Sequence, residues 1–551
     1  MTIISFILLI LLSVQPLKCQ IQSDKNHKPV HLFSKNNLRD YLNFLGSDSL
    51  QGRGTGSLGE EISAKFIADK FSELGLKSLR ADNSYFQYIP MHGSIPQPES
   101  ELKIIYQDES YSLKLNKDYL LYTSGEQTFI PSTSPLVFVG YGIIAPEFDY
   151  TDYQQIDVQG KIVVFLEGEP HSGADYYFNG ETPTIYSLPE AKQRIALACG
   201  ALGSILILSD ENYLNDKWIK TSNEFSFETV TLASSANKNL SILMNPEAAK
   251  NLFRNSLFSL SHIYKMHDDN NMRSFHLNCE LSFKGIFKER DFLSPNIIGM
   301  LEGNDAAKKE NYIIISAHYV HLGIGPTING DSIHNGVLDN ALGVSGLLEL
   351  ARAFSQVRPK LDRSIIFLCL TAEEKGLLGS HYYVSSPVVP LYKCIGNVNI
   401  DGLAVYDVFN SVVGIGSQYS SLLEVLNEVS IKQGLLLTDI PTQFENWLSY
   451  YKSDQASFAQ AGIPSILVYE GIDPKYQSIE DALSWFFNYS QNIYHSPFDD
   501  LNQSINLNAT FQHLILLYSF ISTLADSDKV PEWNEDSPFL KARLRSIAEK
   551  R

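Results

Sequence analysis

Six side chains that can bind a metal or transfer a proton lie in short, distinct sequence frames of this 551-residue chain. His318 lies in Ser316-Ala-His-Tyr-Val-His-Leu-Gly323, and Asp339 lies in Asn335-Gly-Val-Leu-Asp-Asn-Ala-Leu-Gly343. The others are the pair Glu373-Glu374, Asp401 in Asn399-Ile-Asp-Gly402, and His495 in Tyr494-His-Ser-Pro497. Imidazole and carboxylate groups are the usual ligands of zinc in hydrolytic sites. The pattern therefore predicts a metal site.

The number of these groups is sufficient for two metal ions. A hydrolytic two-metal site needs converging carboxylates and imidazoles, with one carboxylate bridging ions about 3.5 to 4 Å apart. The five predicted ligands are His318, Asp339, Glu374, Asp401 and His495. Glu373 would then be a spare carboxylate that takes a proton from the attacking water and delivers it to the leaving amine. Zinc suits these nitrogen and oxygen donors best, with manganese or cobalt as alternatives.

Continuous apolar runs predict the strands that position these groups. They cover residues 312–316, 364–370, 395–400 and 465–469, as expected for a sheet that helices cover on both faces. Helical patterns such as 343–354 alternate with the strands, which is typical of a doubly wound α/β domain. Three of the candidate sites each follow one strand: His318, Glu373-Glu374 and Asp401. We expect them at the carboxyl edge of the sheet, where such folds bind ligands.

The N-terminal region has helical patterns on either side of a glycine-rich turn. A short helix is predicted over residues 37–45, and the capping-box pattern Ser57-Leu-Gly-Glu60 opens a second one. The turn between them, Ser49-Leu-Gln-Gly-Arg-Gly-Thr-Gly56, lacks the Gly-Lys-Ser/Thr ending of a phosphate loop. Phosphate binding is therefore disfavoured.

The chain length predicts two domains, and one of them could be inserted in the other. Residues 131–292 change to short β-rich runs with one helix between them, and we interpret this region as the insert. Its predicted strands cover 136–140, 161–166 and 204–208, and its helix covers 189–199. The last residues, from about 526 to 551, are charged and predict an exposed helix or tail.

The net charge, an apolar N-terminal segment and the cysteines limit which partners and which cellular location are expected for the protein. The net charge of -19 argues against nucleic acid or an anionic membrane surface as a partner. Residues 3–14 are too short to span a bilayer but long enough for a signal-peptide core, so residues 1–19 predict export to the periplasm or the extracellular space. A lipid on Cys19 would tether the protein to a membrane. The other cysteines, Cys199, Cys279, Cys369 and Cys394, predict buried thiols or one or two bridges.

Together these motifs resemble the co-catalytic zinc exopeptidases of metallopeptidase family 28. Asn43-Phe-Leu-Gly-Ser-Asp-Ser-Leu-Gln-Gly-Arg-Gly-Thr-Gly56 is similar to the N-terminal signature of that family, and the segments 140–143 and 158–164 are similar to its protease-associated insert. The resemblance implies a doubly wound mixed α/β sheet of the zinc-exopeptidase (phosphorylase/hydrolase-like) type with an inserted β-rich domain. It divides the chain into a signal peptide (1–19), an N-terminal part of the peptidase domain (20–130), the insert (131–292), the catalytic domain (293–525) and a tail (526–551).

The resemblance also implies roles for the site residues. Asp339 would bridge two Zn²⁺ ions, His318 and Asp401 would bind one ion, and Glu374 and His495 would bind the other. Glu373 matches the general base and acid. Tyr450 is in the place of a tyrosine that stabilises the oxyanion, although it or the adjacent Tyr451 could simply pack. The implied activity is that of an exported metallo-aminopeptidase, which attacks the first peptide bond of peptides with a free N-terminus through a metal-bridging hydroxide.

Two departures from the family pattern leave other functions open. Val320 replaces an Asp that orients the ligand His, and Gln455 replaces a His in Ser453-Asp-Gln455. Loss of an orienting partner typically costs about 10- to 100-fold in metal affinity or activity. The protein could be an enzyme in which a water or a backbone carbonyl orients His318, or a non-catalytic or weakly active receptor-like protein. A carboxypeptidase or a glutaminyl cyclase is a further alternative. Because all five ligands and Glu373 are present, the sequence favours an enzyme over a binding protein and a two-metal peptidase over a cyclase. A carboxypeptidase would need a basic group for the terminal carboxylate, which the sequence does not identify, so an aminopeptidase is the main hypothesis.

Overall fold

The computed structural model describes residues 29–107, 109–121, 129–171, 177, 178, 180, 183–209, 214–235, 239–357, 360–441, 444 and 450–549. The predicted signal peptide and Cys19 lie outside the described residues. Within the described ranges, every helix is too short or too polar to cross a membrane.

The helices and strands alternate over most of the chain. The helices are α1 (Lys35–Leu45), α2 (Leu58–Glu73), α3 (Pro189–Ala198), α4 (Leu214–Glu224), α5 (Pro246–Ala249), α6 (Leu260–Asp268), α7 (Leu342–Gln356), α8 (Leu378–Ser385), α9 (Leu422–Gln433), α10 (Gln455–Gln460), α11 (Ile479–Asn488), α12 (Leu507–Asp526) and α13 (Leu540–Ala548). The strands are β1 (Phe86–Pro96), β2 (Glu101–Tyr106), β3 (Glu109–Leu113), β4 (Tyr119–Leu121), β5 (Phe129–Val139), β6 (Ile144–Ala145), β7 (Tyr150–Thr151), β8 (Ile162–Leu166), β9 (Gly203–Ile207), β10 (Thr229–Leu232), β11 (Leu240–Met244), β12 (Ser274–Lys284), β13 (Phe287–Leu301), β14 (Tyr312–His318), β15 (Gly323–Ile328), β16 (Asp331–His334), β17 (Ser364–Leu370), β18 (Cys394–Asn399), β19 (Ser411–Ile415), β20 (Leu436–Leu437) and β21 (Ser465–Glu470).

The larger sheet has nine strands in the order β10-β1-β13-β17-β14-β18-β21-β19-β20. Its centre, β17-β14-β18-β21, is parallel, and antiparallel strands flank it. Successive residues of β14 enter different cores: Ile313 and Ile315 pack with residues of α1, α7 and α12, whereas Ile314 packs with Tyr383 of α8 and Phe458 of α10. Helices therefore cover both faces, and the predicted mixed doubly wound sheet is confirmed.

The four predicted central strands and the predicted helix at 343–354 all form within a few residues of their expected limits. The N-terminal helices also form. The Ser57 hydroxyl caps α2 by accepting a hydrogen bond from the Glu60 backbone N–H (3.2 Å). The Glu60 carboxylate accepts from the Gly56 N–H (2.6 Å), however, so the second hydrogen bond of the capping box involves the residue before the Ser57 cap.

The second sheet has eight strands in the order β3-β2-β12-β5-β8-β9-β11-β4, of which β5-β8-β9-β11 are parallel. It contains the three β-rich runs predicted within 131–292. It also contains β2, β3 and β4, which precede residue 131, while β10 within that range pairs with β1 of the larger sheet. The second sheet therefore starts earlier than the limit expected from sequence. Short strands such as β2 and β10 carry no local signal of the sheet that they join, since partner choice is a long-range property.

The C-terminal helix is exposed, and the four described cysteines are unbridged. The helix α13 has no buried residue, as predicted for an exposed helix. Trp533 just before it is buried, and its indole N–H donates to the Gly462 carbonyl (2.9 Å), which holds this segment against the loop between α10 and β21. Cys199, Cys279, Cys369 and Cys394 are free thiols, so the alternative of bridges among them is not realised.

Candidate metal centre

The predicted ligands converge at the carboxyl edge of the larger sheet. His318 is the last residue of β14, Glu373 and Glu374 follow β17, and Asp401 follows β18. Because these three strands are parallel neighbours, the loops that follow them open at the same edge. Asp339 comes from the segment that leads into α7, and His495 comes from the loop between α11 and α12.

The five groups form two halves that share Asp339. The Nε2 atom of His318 lies 3.1 Å from Oδ1 of Asp339 and 3.1 Å from Oδ1 of Asp401. The Nε2 atom of His495 lies 3.0 Å from Oε2 of Glu374 and 3.4 Å from Oδ2 of Asp339. Each carboxylate oxygen of Asp339 thus faces a different imidazole.

The donor set fits metal binding. Candidate ligand atoms of His318, Asp339 and Asp401 all lie within 4.8 Å of one another, and so do those of Asp339 with Glu374 and His321. The Nε2 atom of His495 is buried and makes no hydrogen bond, although it faces two carboxylates. A buried imidazole nitrogen without a hydrogen-bond partner beside convergent carboxylates is suited to a metal ligand, and this mixture of nitrogen and oxygen donors suits zinc.

A backbone carbonyl orients His318. The Nδ1–H group of His318 donates a hydrogen bond to the Val320 carbonyl oxygen (3.0 Å). With Nδ1 protonated, Nε2 keeps its lone pair for a metal. The Val320 side chain is fully buried in the apolar core. The sequence left open whether a water or a backbone carbonyl orients His318 in place of the missing Asp. In the structure, the backbone carbonyl of Val320 makes this contact.

The substitution Val320→Asp is expected to lower stability by about 1–3 kcal/mol without strengthening the metal site, because it buries a carboxylate where an apolar side chain now packs. Chemical denaturation would measure the free energy of unfolding, and competition with a chelator would measure zinc affinity. Val320→Ala is the control, since it leaves the backbone carbonyl in place without adding a charge. A rise in both zinc affinity and hydrolysis in Val320→Asp would contradict this account.

His321 is a member of the cluster that the sequence did not single out. Its Nδ1 atom lies 2.7 Å from Oε1 of Glu374, and its side chain is fully buried. Its ring centroid is 5.6 Å from that of His495. His321 thus occupies one oxygen of Glu374 and leaves Oε2 directed at His495. The sequence signal for His321 was its position in the same short segment as His318. It lies beyond the end of β14, however, where the alternation of a strand no longer predicts the direction of a side chain.

Further contacts hold the loop of Asp339. The carboxylate of Asp499 accepts hydrogen bonds from the backbone N–H groups of Leu338 (2.8 Å) and Asp339 (3.0 Å). Asp499 is fully buried, and burial raises its pKa to about 6. These two hydrogen bonds fix the backbone that carries the predicted bridging ligand.

The loop of Asp401 is tied to that of Asp339 through Asn340. The Asn340 side chain donates to the Ile400 carbonyl (2.8 Å) and accepts from the Gly402 N–H (2.9 Å). The Ser453 hydroxyl donates to Oδ2 of Asp401 (2.5 Å), which leaves Oδ1 directed at His318. Both acidic groups are therefore held in one orientation by neighbours.

The structure does not bring Tyr450 to the cluster. Its hydroxyl donates to the Ser465 carbonyl (3.0 Å), and its ring packs on Phe539 and Tyr419. These contacts favour the packing alternative for Tyr450, since the short helical turn at Tyr450–Lys452 directs its ring into a core. A different tyrosine, Tyr469, lines the cavity beside the cluster and donates to the Asp401 carbonyl.

Gln455 is also satisfied by its neighbours. It is fully buried, and its Oε1 accepts from the Asn399 side chain (3.0 Å) while its Nε2 donates to the Tyr450 carbonyl (2.8 Å). Asn399 in turn donates to the Ser453 hydroxyl (2.9 Å). The residue that departs from the family pattern thus supports the serine that orients Asp401.

The adjacent carboxylates Glu373 and Glu374 have opposite electrostatic environments. Burial raises the pKa of Glu373 well above its ordinary range, and the nearby charges of Glu374 and Asp401 raise it further. Burial would also raise the pKa of Glu374, but His495 and His321 outweigh it and hold that pKa well below its ordinary range. Such a separation is typical of a pair in which one carboxyl transfers protons and the other remains an anion.

A cavity of about 480 Å³ opens from the cluster. Asp339, Glu373 and Asp401 line it at the cluster. Most of its other walls are apolar or aromatic: Leu403, Val405, Phe409, Val413, Phe444, Leu467, Tyr469, Trp485, Phe486, Tyr489 and Tyr494. One wall contains Glu470, whose pKa burial raises to about 7. An apolar cavity that ends in a few polar groups is typical of a small-ligand site.

Comparison with known proteins relates this chain to peptidases. The sequence model of peptidase family M28 matches residues 296–520. Over 207 residues the chain is 31% identical to the probable leucine aminopeptidase 2 of Aspergillus oryzae (strain ATCC 42149 / RIB 40). The matched segment covers 36% of this chain and 38% of the relative. Over 222 residues it is 29% identical to Aminopeptidase YwaD of Bacillus subtilis (strain 168), covering 39% and 43% of the two chains. The chain therefore spans less than half the length of these curated relatives.

A solved structure extends the likeness beyond the matched segment. The aminopeptidase from Aneurinibacillus sp. strain AM-1 superposes with a TM-score of 0.56 over 92% of this chain and 97% of that chain, at 19% sequence identity. At this identity the likeness concerns the fold, and it agrees with the mixed α/β architecture described above.

Proposed function

Residues 296–520 of this chain belong to peptidase family M28, and we propose that the protein is an exported zinc aminopeptidase that removes the N-terminal residue of peptides. The observation that carries the proposal is the convergence of five side chains, His318, Asp339, Glu374, Asp401 and His495. They meet at one end of a largely apolar cavity, which Asp339, Asp401 and Glu373 line. The matching relatives named as aminopeptidases support the same class of reaction.

Two zinc ions are the proposed cofactors. His318 and Asp401 would hold one ion, Glu374 and His495 the other, and Asp339 would contribute one oxygen to each. The opposite directions of the two Asp339 oxygens support this arrangement. When bound, the ions would polarise the carbonyl of the first peptide bond and make water a stronger acid.

Glu373 is the proposed general base and acid. It lines the cavity beside the cluster, so it can accept a proton from the attacking water and donate it to the leaving amine. Burial raises its pKa, which favours the protonated form that would donate to the leaving amine. Glu374, held as an anion by His321 and His495, is suited to remain a ligand throughout.

The cavity indicates the kind of N-terminal residue that the protein accepts. Its aromatic and aliphatic walls would bury a large apolar side chain, and burying such a side chain contributes about 1.5–3 kcal/mol. The free amino group of the peptide would lie at the carboxylate end, near Glu373 and Asp401. A purely binding role is less well supported, since the Val320 carbonyl supplies the orientation of His318 that the missing Asp would otherwise provide.

Hydrolysis of aminoacyl anilides tests the proposal. The full-length, zinc-loaded protein is expected to release aniline from leucine or phenylalanine anilide, and N-acetylation of the same compounds is expected to slow release by about 10- to 150-fold, because it removes a charged hydrogen-bonding group worth about 1.5–3 kcal/mol. Glu373→Ala is the control. Equal rates for the free and acetylated compounds, or equal residual rates in the two proteins, would reject aminopeptidase activity. Release of the C-terminal residue from N-blocked peptides would indicate a carboxypeptidase instead.

A further inference from the structure

The glycine-rich turn at residues 49–56 has no role in the chemistry described above, yet it contacts both loops that begin the metal centre. We propose that Arg53 in this turn is a positioning residue that fixes the separation between the loops of His318 and Asp339 and thereby sets the affinity for metal. The inference rests on the proposed metal centre.

The contacts of Arg53 carry this inference. Its side chain is 1% exposed, and its Nε donates to the Tyr319 carbonyl (2.8 Å), directly after His318. Its Nη1 donates to the Asn335 carbonyl (2.8 Å), and its Nη2 donates to the Gly336 carbonyl (3.0 Å). One planar guanidinium therefore joins the backbone that follows His318 to the backbone that precedes Asp339. Its rigid fork of donors fixes the distance between these carbonyls in a way that a flexible ammonium cannot.

The shape of the turn brings Arg53 to this position. Gly52 has φ +68°, and a Cβ atom there would lie 2.2 Å from the His334 carbonyl oxygen and 2.8 Å from that of Gly323. Only glycine allows both this conformation and this close approach. The Arg53 carbonyl also accepts a hydrogen bond from the backbone N–H of His321 (3.2 Å). The turn is therefore packed directly on the loops of the metal centre.

Arg53 is also charged. Burial lowers its pKa to about 10, while Asp499, Asp339 and Glu374 oppose that decrease. A pKa of about 10 keeps the group protonated at neutral pH. A fixed cation here offsets part of the repulsion among the nearby carboxylates when no metal is bound. Because the same charge also repels a metal cation, the inference rests on the hydrogen bonds of Arg53 and not on its charge.

A second buried arginine, Arg363, provides a matched control. Arg363 is 2% exposed, and its Nη1 donates to the carbonyl oxygens of Leu524 (2.8 Å) and Ser527. Its acidic neighbours are Asp362, Asp528 and Asp526, none of which belongs to the metal centre. Replacing either arginine by lysine keeps the charge and removes the planar fork, but only Arg53 joins the ligand loops.

The experiment compares Arg53→Lys with Arg363→Lys in the full-length protein. Both substitutions are expected to lower the melting temperature. Only Arg53→Lys is expected to weaken zinc binding, by about 10- to 100-fold in chelator competition, as is typical when a group that orients ligands is lost. At saturating zinc it is also expected to lower kcat for leucine anilide, with KM changed by less than about twofold, because it misplaces the reacting groups without altering the cavity.

A milder variant keeps the test decisive if Arg53→Lys does not fold. The exposed Asp48 accepts a hydrogen bond from the Asn335 side chain (2.9 Å), which helps to hold the same loop. Asp48→Ala is expected to fold and to weaken zinc binding by about 2- to 10-fold, the effect of one ordinary hydrogen bond. Unchanged zinc affinity in Asp48→Ala together with an unfolded Arg53→Lys would count against the inference.

The inference would be overturned if Arg53→Lys kept wild-type zinc affinity and kcat at a lowered melting temperature, or if Arg363→Lys weakened zinc binding equally. Either result would assign Arg53 to general stability. Failure of the proposed function gives a different result, because the wild-type protein itself would then neither bind zinc tightly nor release aniline.

Discussion

Replacing Glu373 with glutamine is expected to lower kcat for leucine anilide by about 10²- to 10⁴-fold, the usual contribution of a general acid and base. The substitution keeps the size of a side chain that is only 9% exposed, but it removes the group that accepts and returns the proton. Because Glu373 is not one of the five proposed ligands, the zinc content is expected to stay at the wild-type value. Steady-state kinetics with metal analysis on the same sample would measure both quantities.

The neighbouring residue provides the contrast. Glu374→Gln should lose zinc as well as activity, because His321 and His495 hold this carboxylate as an anion and it is a proposed ligand. If Glu373→Gln lost zinc in the same proportion as Glu374→Gln, Glu373 would be a ligand rather than a proton-transfer group. If Glu373→Gln kept full activity, another group would have to act as the base.

Replacing Asp339 with asparagine is expected to weaken both zinc sites together and to lower activity by about 10³-fold or more, since metal ions supply several kcal/mol of transition-state stabilisation. Each oxygen of Asp339 faces a different imidazole, so the loss of its charge affects both halves of the cluster. Burial and the charge of Glu374 would raise the pKa of this carboxyl, but the imidazoles of His318 and His495 beside its two oxygens hold that pKa below its ordinary range. It is therefore ionised at neutral pH and available to metal.

Asp407 is a suitable control for this substitution. It is a buried aspartate on the wall of the same cavity, and its Oδ2 accepts from the backbone N–H groups of Tyr476 (2.7 Å) and Gln477 (3.1 Å). Asp407→Asn should lower stability without changing zinc stoichiometry. Titration of both variants with zinc, followed by counting of bound ions, distinguishes the outcomes. Retention of one tightly bound ion in Asp339→Asn would argue against a bridging role.

The fold around the metal centre could be predicted from the sequence because its signals are local. Apolar runs that are long enough for strands but too short for helices alternate with helical periodicity, and this order implies a parallel sheet covered on both faces. His318, Glu373-Glu374 and Asp401 each follow such a strand directly. Parallel strands share the direction of their carboxyl ends, so these residues had to meet at one edge.

Other features depend on contacts that no local pattern contains. The direction of Tyr450 is set by a core that includes Phe539 and Tyr419, both distant in the sequence. The limits of the second sheet depend on which strands pair, and β2 gives no local sign that β12 is its partner. The sequence could therefore suggest a role for Tyr450 and a limit for the insert, but it could not test either.

The sequence by itself determined which imidazole and carboxylate side chains are candidate ligands and their order along the chain, and it left Glu373 outside the proposed set of five. The tertiary structure decided how these groups are held. It placed the Val320 carbonyl on His318, His321 on Glu374 and Arg53 between the two ligand loops. The physical reason is that a side-chain type is encoded at its own position, whereas its orientation depends on the turn that carries it and on partners from distant parts of the chain.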